Sequence, residues 1–218
     1  MYTAIIGDLQ NSRQISDREA FQIRFKEILD EINVIYKNDI ASNFTITLGD
    51  EFQGLLVTPV KTLEIINYIK FRIYPVRSRF GVGVGEITTN INPDESLGAD
   101  GPAYHRARNM INFIKKNEKS KKTAMGDIRF DVGIGSSAIE SVNSTLNLLY
   151  FIESRWTPKQ RKSIMDSYYY GMTQGEIAEK SGLNQSTVHR SLKASGYFEY
   201  FESVYSIEEL MKDLYGEK

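Results

Sequence analysis

The last third of the chain contains two helix starts, which constrain its fold more tightly than any other feature of the sequence. Thr157 precedes Pro158, and proline suits the first position of a helix because the amide that it lacks would have no partner there. Thr173 and Glu176 have the spacing of a capping box, in which both side chains bind free backbone amides. With Gly171 between them, the two starts predict one helix over 157–170 and a second from about residue 174.

A third helix is predicted after a short turn. Gly182 suits the left-handed backbone of that turn, Leu183 is expected to fill the core, and Asn184 is expected to cap the helix that follows. This helix should run from residue 185 to about residue 193 or 194. The stretch 197–205 is rich in aromatic side chains and is interpreted as a possible β element.

The third helix has an apolar side and a polar side. Val188 and Leu192 lie four residues apart and are expected to face inward. The formal net charge of the chain is −1, but cations outnumber acids within residues 157–200. The outward residues are of types that reach phosphates and base edges in a major groove: Gln185, Ser186, Thr187, His189, Arg190 and Lys193. DNA is therefore the expected partner, and the alternative is a helical module for dimerisation or for a protein partner.

The string from Thr157 to Lys193 resembles the helix-turn-helix of sigma-factor region 4 and of response-regulator output domains. This resemblance implies DNA binding and transcription regulation.

The first part of the chain alternates between the periods of strands and helices. Strands are predicted at 3–6, 44–48, 52–57 and 79–88, and helices at 17–36 and 61–73. This βαββαβ order predicts a ferredoxin-like sheet, in an α+β protein, with a further helix at 103–117, a strand at 123–130 and a helix at 144–155. In that topology the first two strands run parallel, so Asp8 and Asp50 should emerge at the same edge of the sheet.

Composition limits the chemistry available at that edge. The chain has no cysteine and only two histidines, which excludes disulfides, thiolate zinc sites and multi-histidine zinc centres. Any metal must therefore be held by oxygen. No apolar stretch has the length of a membrane helix, and the N-terminus does not have the pattern of a signal peptide, so we expect a cytoplasmic protein without membrane contact.

The hairpin 48–52, together with Asp8 at the end of the first strand, resembles the palm-type nucleotidyl cyclase fold of class III cyclases and diguanylate cyclases. The resemblance implies that Asp8 and Asp50, with Glu51 as a third ligand, hold Mg²⁺ or Mn²⁺ on a nucleoside triphosphate. From the residues alone, the hairpin could equally be only a good turn. The glycines at 81, 83 and 85 could serve only to let a helix pack closely on the sheet.

Residues 101–110 resemble the class III helix that orients ribose and binds phosphate. His105 stands where that family has asparagine, and Asn109 where it has arginine. The resemblance implies a nucleotide-binding role for His105, Arg106 and Asn109. The replacements leave two alternatives, a metal-dependent enzyme acting on nucleoside triphosphates and a degenerate palm used for binding or interaction.

Over its whole length, including the segments 7–13 and 98–103, the chain is similar to the bacterial SatD family. We expect a palm-like domain at 1–140, a connecting helix at 141–156 and a helix-turn-helix domain with an acidic tail at 157–218. The leading hypothesis is a homodimeric DNA-binding regulator whose palm-like domain senses a nucleotide or mediates dimerisation.

Overall fold

A computed structural model describes residues 1–120, 126–133 and 135–216. The strands are β1 Tyr2–Leu9, β2 Ile40–Leu48, β3 Glu51–Leu56, β4 Ser78–Gly85 and β5 Ile128–Asp131. The helices are α1 Arg18–Ile35, α2 Thr62–Ile73, α3 Pro102–Ser120, α4 Ser137–Glu153, α5 Pro158–Tyr168, α6 Gln174–Ser181, α7 Gln185–Ala194 and α8 Tyr197–Tyr215. Within these ranges, no helix combines the length and the apolar character needed to cross a bilayer.

The five strands form one sheet in the order β2-β3-β1-β4-β5. β1 pairs antiparallel with both β3 and β4, β2 pairs antiparallel with β3, and β5 lies parallel to β4. Because β1 and β2 both oppose β3, they run in the same direction. The βαββαβ order and the shared edge of β1 and the β2–β3 hairpin are therefore confirmed, and β5 extends the sheet beyond β4.

Helix α3 packs unusually close to β4. A Cβ atom added at Gly81 would lie 2.1 Å from the carbonyl oxygen of Ala107, and one added at Gly83 would lie 2.1 Å from that of Ala103. Only glycine permits this approach of backbone to backbone. A small apolar core, which includes Ile6 and Ile111, fills the space between α3 and the sheet.

The other face of the sheet is covered by α1, α2 and α4, and its core is continuous with that of the C-terminal helices. Aromatic contacts lead from α2 into the C-terminal part. The rings of Phe71 and Trp156 stack at 5.7 Å, and Trp156 lies 4.8 Å from Tyr200 of α8. The predicted division of the chain at residues 140 and 156 stays a prediction; α4 extends across the first of these positions.

The helix starts of the C-terminal part are confirmed. Thr157 and Thr173 each form a complete capping box, and Gly182 adopts the left-handed conformation with φ of 64°. The expectation for Leu183 is wrong, since its side chain is 49% exposed. Asn184 occupies the N-cap position of α7, but its side chain makes no capping hydrogen bond within the described structure.

The β element expected at 197–205 is wrong, because this stretch begins helix α8. Its buried side chains recur at helical spacing, at Tyr200, Phe201, Val204, Ile207 and Met211. Aromatic residues favour strands only where alternate positions are buried, and here the period of burial overrides that propensity. The strand predicted at 123–130 begins at Ile128; residues 123–125 lie outside the described part of the chain.

Candidate functional site

Three charged residues lie side by side at the edge of the sheet where β1 ends. Asp8 of β1 is opposite Glu51 of β3 on one side and Arg79 of β4 on the other. Directly opposed residues on neighbouring strands point to the same face. Since Asp8 shares the parity of Ile6, which packs under α3, the row faces α3.

Both carboxylate oxygens of Asp8 are bound by cations of the chain itself. Oδ2 accepts a hydrogen bond from Arg79 Nη1 at 2.6 Å, and Oδ1 accepts one from Lys115 Nζ of α3 at 2.6 Å. Asp8 is only 5% exposed, and hydrogen bonds from such partners offset the cost of burying its carboxylate.

Two further pairs complete this arrangement. Arg108 of α3 donates from both terminal nitrogens to the two oxygens of Glu51, with Nη2 2.6 Å from Oε1. Arg79 also donates to Glu118, with Nη2 2.6 Å from Oε2. Burial alone would lower the pKa of Arg79, but Glu118 and Asp8 outweigh it and raise that pKa. The edge cluster consists of Asp8, Glu51, Arg79, Arg108, Lys115 and Glu118.

Asp50 lies in the tight turn between β2 and β3, after Gly49 with its φ of 61°. Its Oδ2 accepts a hydrogen bond from Ser12 Oγ at 3.0 Å, and its carbonyl oxygen accepts one from the Leu9 amide at 2.8 Å. The predicted proximity of the hairpin to the end of β1 is therefore present, and it is held by hydrogen bonds of both the backbone and the side chain.

The carboxylates Asp8, Asp50 and Glu51 do not fit Mg²⁺ or Mn²⁺ in this arrangement. A divalent cation needs oxygens that are free to coordinate it, whereas Asp8 and Glu51 each have both oxygens bound by arginine or lysine. In the described ranges, no group of three or more His, Cys, Asp or Glu side chains is arranged to hold a metal ion.

The residues expected to bind a nucleotide do not join the edge cluster. His105 and Asn109 are exposed on α3, and His105 Nε2 lies 2.8 Å from Asp100 Oδ1. Arg106 donates to the carbonyl oxygen of Val84, at the end of β4 that lies away from the edge cluster. Across the described residues, no hydrogen bond or ion pair that we observe joins these three to the edge cluster.

The predicted inward side of α7 is confirmed. Val188 and Leu192 are each 1% exposed. Arg190 donates from Nε to the carbonyl oxygen of Ser186, at 3.3 Å on its own helix. Of the predicted outward residues, Thr187 is half-buried, and the others are exposed: Gln185, Ser186, His189, Arg190 and Lys193.

Two cations of the C-terminal part bind buried carboxylates. Arg161 Nη1 lies 3.1 Å from Glu153 Oε1, and Lys180 Nζ lies 2.8 Å from Asp166 Oδ1. Arg161 is therefore largely withdrawn from the surface, whereas the side chain of Lys180 stays 43% exposed.

Sequence reasoning missed a buried group of charges where α2, β5, α4 and α5 meet. Lys70 Nζ lies 2.7 Å from Asp127 Oδ2 and also binds Glu153, which in turn binds Arg161. We call these four residues the junction cluster. The available signal was a lysine on α2 in register with the apolar positions at 66, 69 and 73.

The two carboxylates of the junction cluster differ in their surroundings. Burial alone would raise the pKa of Glu153, but Lys70 and Arg161 outweigh it and hold that pKa below its usual value. Burial raises the pKa of Asp127, because only Lys70 is close enough to oppose it. The difference follows from the number of cations each carboxylate contacts.

The sequence profile of the SatD family matches residues 2–211. A comparison with curated proteins found no match. Among solved structures, a dimeric guanylyl cyclase domain of the RhoGC fusion protein from the aquatic fungus Blastocladiella emersonii is 18% identical, with a TM-score of 0.35 over 50% of this chain and 71% of that one.

Two other solved structures show a similar level of likeness. A bacterial light-regulated adenylyl cyclase is 13% identical, with a TM-score of 0.37 over 59% of this chain and 74% of that one. An EAL/GGDEF domain protein from M. capsulatus is 13% identical, with a TM-score of 0.33 over 59% of this chain and 83% of that one. Scores of this size carry no functional conclusion for this chain.

Proposed function

This chain belongs to the SatD family, and from that premise we propose that it is a DNA-binding regulator. In this proposal α5, α6 and α7 form a helix-turn-helix, and α7 lies in the major groove of DNA. The α/β part, with its five-stranded sheet, mediates dimerisation or senses a small ligand.

The observation that carries the proposal is the outer face of α7. The helix contains no Asp or Glu, and its exposed side chains include Arg190, Lys193 and His189. The amides of Gln185 and Ser186 precede the first hydrogen bond of the helix, which the Thr187 amide donates to the Asn184 carbonyl oxygen, and the Asn184 side chain makes no capping hydrogen bond in the described structure. Free amides and the positive end of the helix dipole favour a phosphate at this position.

The packing of α7 suits this role. Trp156 Nε1 donates to the carbonyl oxygen of Ser195, directly after α7, at 2.7 Å. Val188 and Leu192 hold the other side of the helix in the core. A recognition helix has to be rigid relative to the rest of the module, because base contacts depend on its register in the groove. In a homodimer, two such helices would meet half-sites about 34 Å apart.

The alternative of a metal-dependent enzyme acting on nucleoside triphosphates has no comparable support. It requires free carboxylate oxygens at Asp8 and Asp50. Both oxygens of Asp8 bind Arg79 and Lys115, and Asp50 Oδ2 accepts a hydrogen bond from Ser12.

The test is binding of the full chain to genomic DNA fragments over a series of salt concentrations. We expect affinity to fall steeply with salt, because cations that neutralise phosphates release counterions from the DNA. The double variant Arg190→Glu/Lys193→Glu should lose specific binding and flatten the salt dependence by about two units or more.

The matched control reverses the charge of two exposed lysines that are far from α7 in the sequence, Lys26→Glu and Lys37→Glu. It therefore has the same net charge as the α7 variant. This control should keep most of its affinity. Equal losses of DNA affinity in both double variants would show that the net charge of the protein, and not the position of the cations on α7, decides binding. Absent or salt-independent binding at micromolar protein would leave a protein-interaction role for α7 in place of the proposed one.

A further inference from the structure

A cavity of about 90 Å³ lies beside the junction cluster, at the same edge of the sheet as the end of β1. Its walls come from both parts of the chain, with α2 and β4 on one side and α4 and α5 on the other. The residues that matter for its chemistry are Lys70, Tyr74, Arg77, Ser78, Trp156 and Arg161. This volume holds several water molecules or a small polyatomic anion.

Two hydrogen-bond donors in the wall of this cavity lack partners. Ser78 is 3% exposed, and its Oγ is buried without a hydrogen-bond partner among the described residues. Arg161 Nε is also buried without a hydrogen-bond partner among the described residues, although the other two nitrogens of this guanidinium donate to Glu153. A buried donor without an acceptor costs about 1–3 kcal/mol, and more when it is charged, so such groups normally have a ligand or water opposite them.

The position of Arg161 is fixed by its other contacts. Nη1 and Nη2 donate to Glu153 Oε1 and to the Glu153 carbonyl oxygen, at 3.1 and 2.8 Å. The guanidinium carbon lies 4.7 Å from the ring centre of Tyr74 and 5.4 Å from that of Trp156. A guanidinium held in this way offers a preorganised donor to an occupant of the cavity.

The charges around the cavity favour an anion. Three cations, Lys70, Arg77 and Arg161, face two carboxylates, Asp127 and Glu153. Both oxygens of Glu153 already accept hydrogen bonds from cations, and Asp127 Oδ2 is bound by Lys70. Arg77 is exposed and lies at the mouth, where it can approach an entering anion. The cations of the wall therefore outnumber its carboxylates by one.

We propose that this cavity binds a small oxyanion, either inorganic phosphate or the phosphate group of a small metabolite. Ser78 Oγ and Arg161 Nε donate to its oxygens from the interior, and Arg77 binds it from the mouth. A tetrahedral oxyanion offers acceptors in several directions at once, which suits donors that come from β4, from α5 and from the turn before β4.

The test is thermal unfolding of the full chain in titrations with inorganic phosphate and with adenosine monophosphate, at constant ionic strength maintained with NaCl. Binding to the folded state alone raises Tm in a saturable way, by about 5 °C or more at 100 times Kd. Saturation by phosphate identifies the free ion. Saturation by the nucleotide at much lower concentration identifies a phosphate carried by a metabolite.

Three variants assign the binding to the cavity. Ser78→Ala should raise the half-saturating concentration about 10-fold, as expected for one hydrogen bond to a charged group. Without ligand it should not lower Tm, because the hydroxyl has no partner to lose. Thr3→Val is the matched control, since Thr3 Oγ1 is also buried and unpartnered among the described residues but lies outside the cavity wall. Arg77→Met tests the contribution of the cation at the mouth of the cavity to anion binding. Because Arg77 is exposed, this variant should fold even if Ser78→Ala does not.

The proposal is overturned if neither anion raises Tm above the NaCl reference. It is also overturned if the folded cavity variants bind as tightly as wild type, or if Thr3→Val weakens binding as much as they do.

Discussion

The edge cluster and the junction cluster use the same chemistry in different surroundings. In the edge cluster, the side chains of Lys115 and Glu118 are 38% and 33% exposed. Water therefore contacts one member of the Lys115–Asp8 pair and one member of the Arg79–Glu118 pair. In the junction cluster, the side chains of Lys70, Asp127 and Glu153 are 8–10% exposed. Burial of a charge is costly unless every partner is in place, so the junction cluster should depend much more strongly on each of its members.

The difference in exposure also separates their consequences for function. The edge cluster joins α3 to the sheet within the α/β part, whereas the junction cluster joins that part to α5 and lines the cavity proposed to bind an oxyanion. Four predictions test this contrast, in order of their expected effect on the free energy of unfolding.

The largest effect is expected for Lys70→Met, which leaves two buried carboxylates facing each other without their shared cation. We expect a loss of about 3–5 kcal/mol in the free energy of unfolding, measured by urea denaturation. The matched control Lys26→Met removes an exposed lysine from α1 and should change stability by less than about 0.5 kcal/mol. A loss below about 1 kcal/mol for Lys70→Met would contradict the paired, buried arrangement.

Glu208 of α8 differs from the carboxylates of both clusters. This half-buried side chain accepts a hydrogen bond from the Glu64 amide rather than from a cation. Burial raises its pKa to about 7. The folded state therefore binds the proton more tightly than the unfolded state does, so this group lowers stability as pH rises from about 4.5 to about 7.

Glu208→Gln keeps an acceptor for the Glu64 amide and removes the charge. It should stabilise the protein by about 1–3 kcal/mol at pH 8 and have almost no effect near pH 4. Urea unfolding of both proteins across this range measures the difference. A stabilisation that is the same at both pH values would show that the carboxylate does not titrate in this interval.

Asp8→Asn tests the edge cluster. The amide keeps the shape of the side chain but leaves Arg79 and Lys115 without its negative charge, so we expect a loss of about 1–2 kcal/mol. Because the two cations that bind Asp8, Arg79 and Lys115, have side chains that are 18% and 38% exposed, the loss should shrink in 1 M NaCl, whereas that of Lys70→Met should not. Equal salt dependence of the two variants would remove the distinction between the clusters.

The smallest effect on stability is expected for Arg190→Ala. This side chain is exposed and bonds only to its own helix in the described structure, so the change should stay within about 0.5 kcal/mol. If the proposed function is correct, DNA affinity falls by about 1–3 kcal/mol for a base contact. Unfolding of α7 with intact affinity per folded molecule would mean that the outward set of residues has been assigned wrongly.

The sequence by itself determined the features that depend on neighbouring residues. Both helix starts, the capping box at Thr173, the left-handed Gly182 and the inward side of α7 follow from local spacing, and the structure confirms them. The βαββαβ order followed from hydrophobic period, and with it the meeting of Asp8 and the β2–β3 hairpin. The aromatic stretch of α8 was interpreted wrongly, because residue type was given more weight than the period of burial.

Only the tertiary structure decided which charges meet. Asp8 binds Lys115, which is 107 positions away in the sequence, and Lys70 binds Glu153, which is 83 positions away. A residue type states that a side chain is charged, but whether its partner is a metal, water or another side chain depends on which helix packs over it. The glycines of β4 allow α3 to lie against the sheet, and that close approach brings the cations of α3 to the carboxylates of the edge. The sequence therefore predicted where the carboxylates lie, and packing decided what they bind.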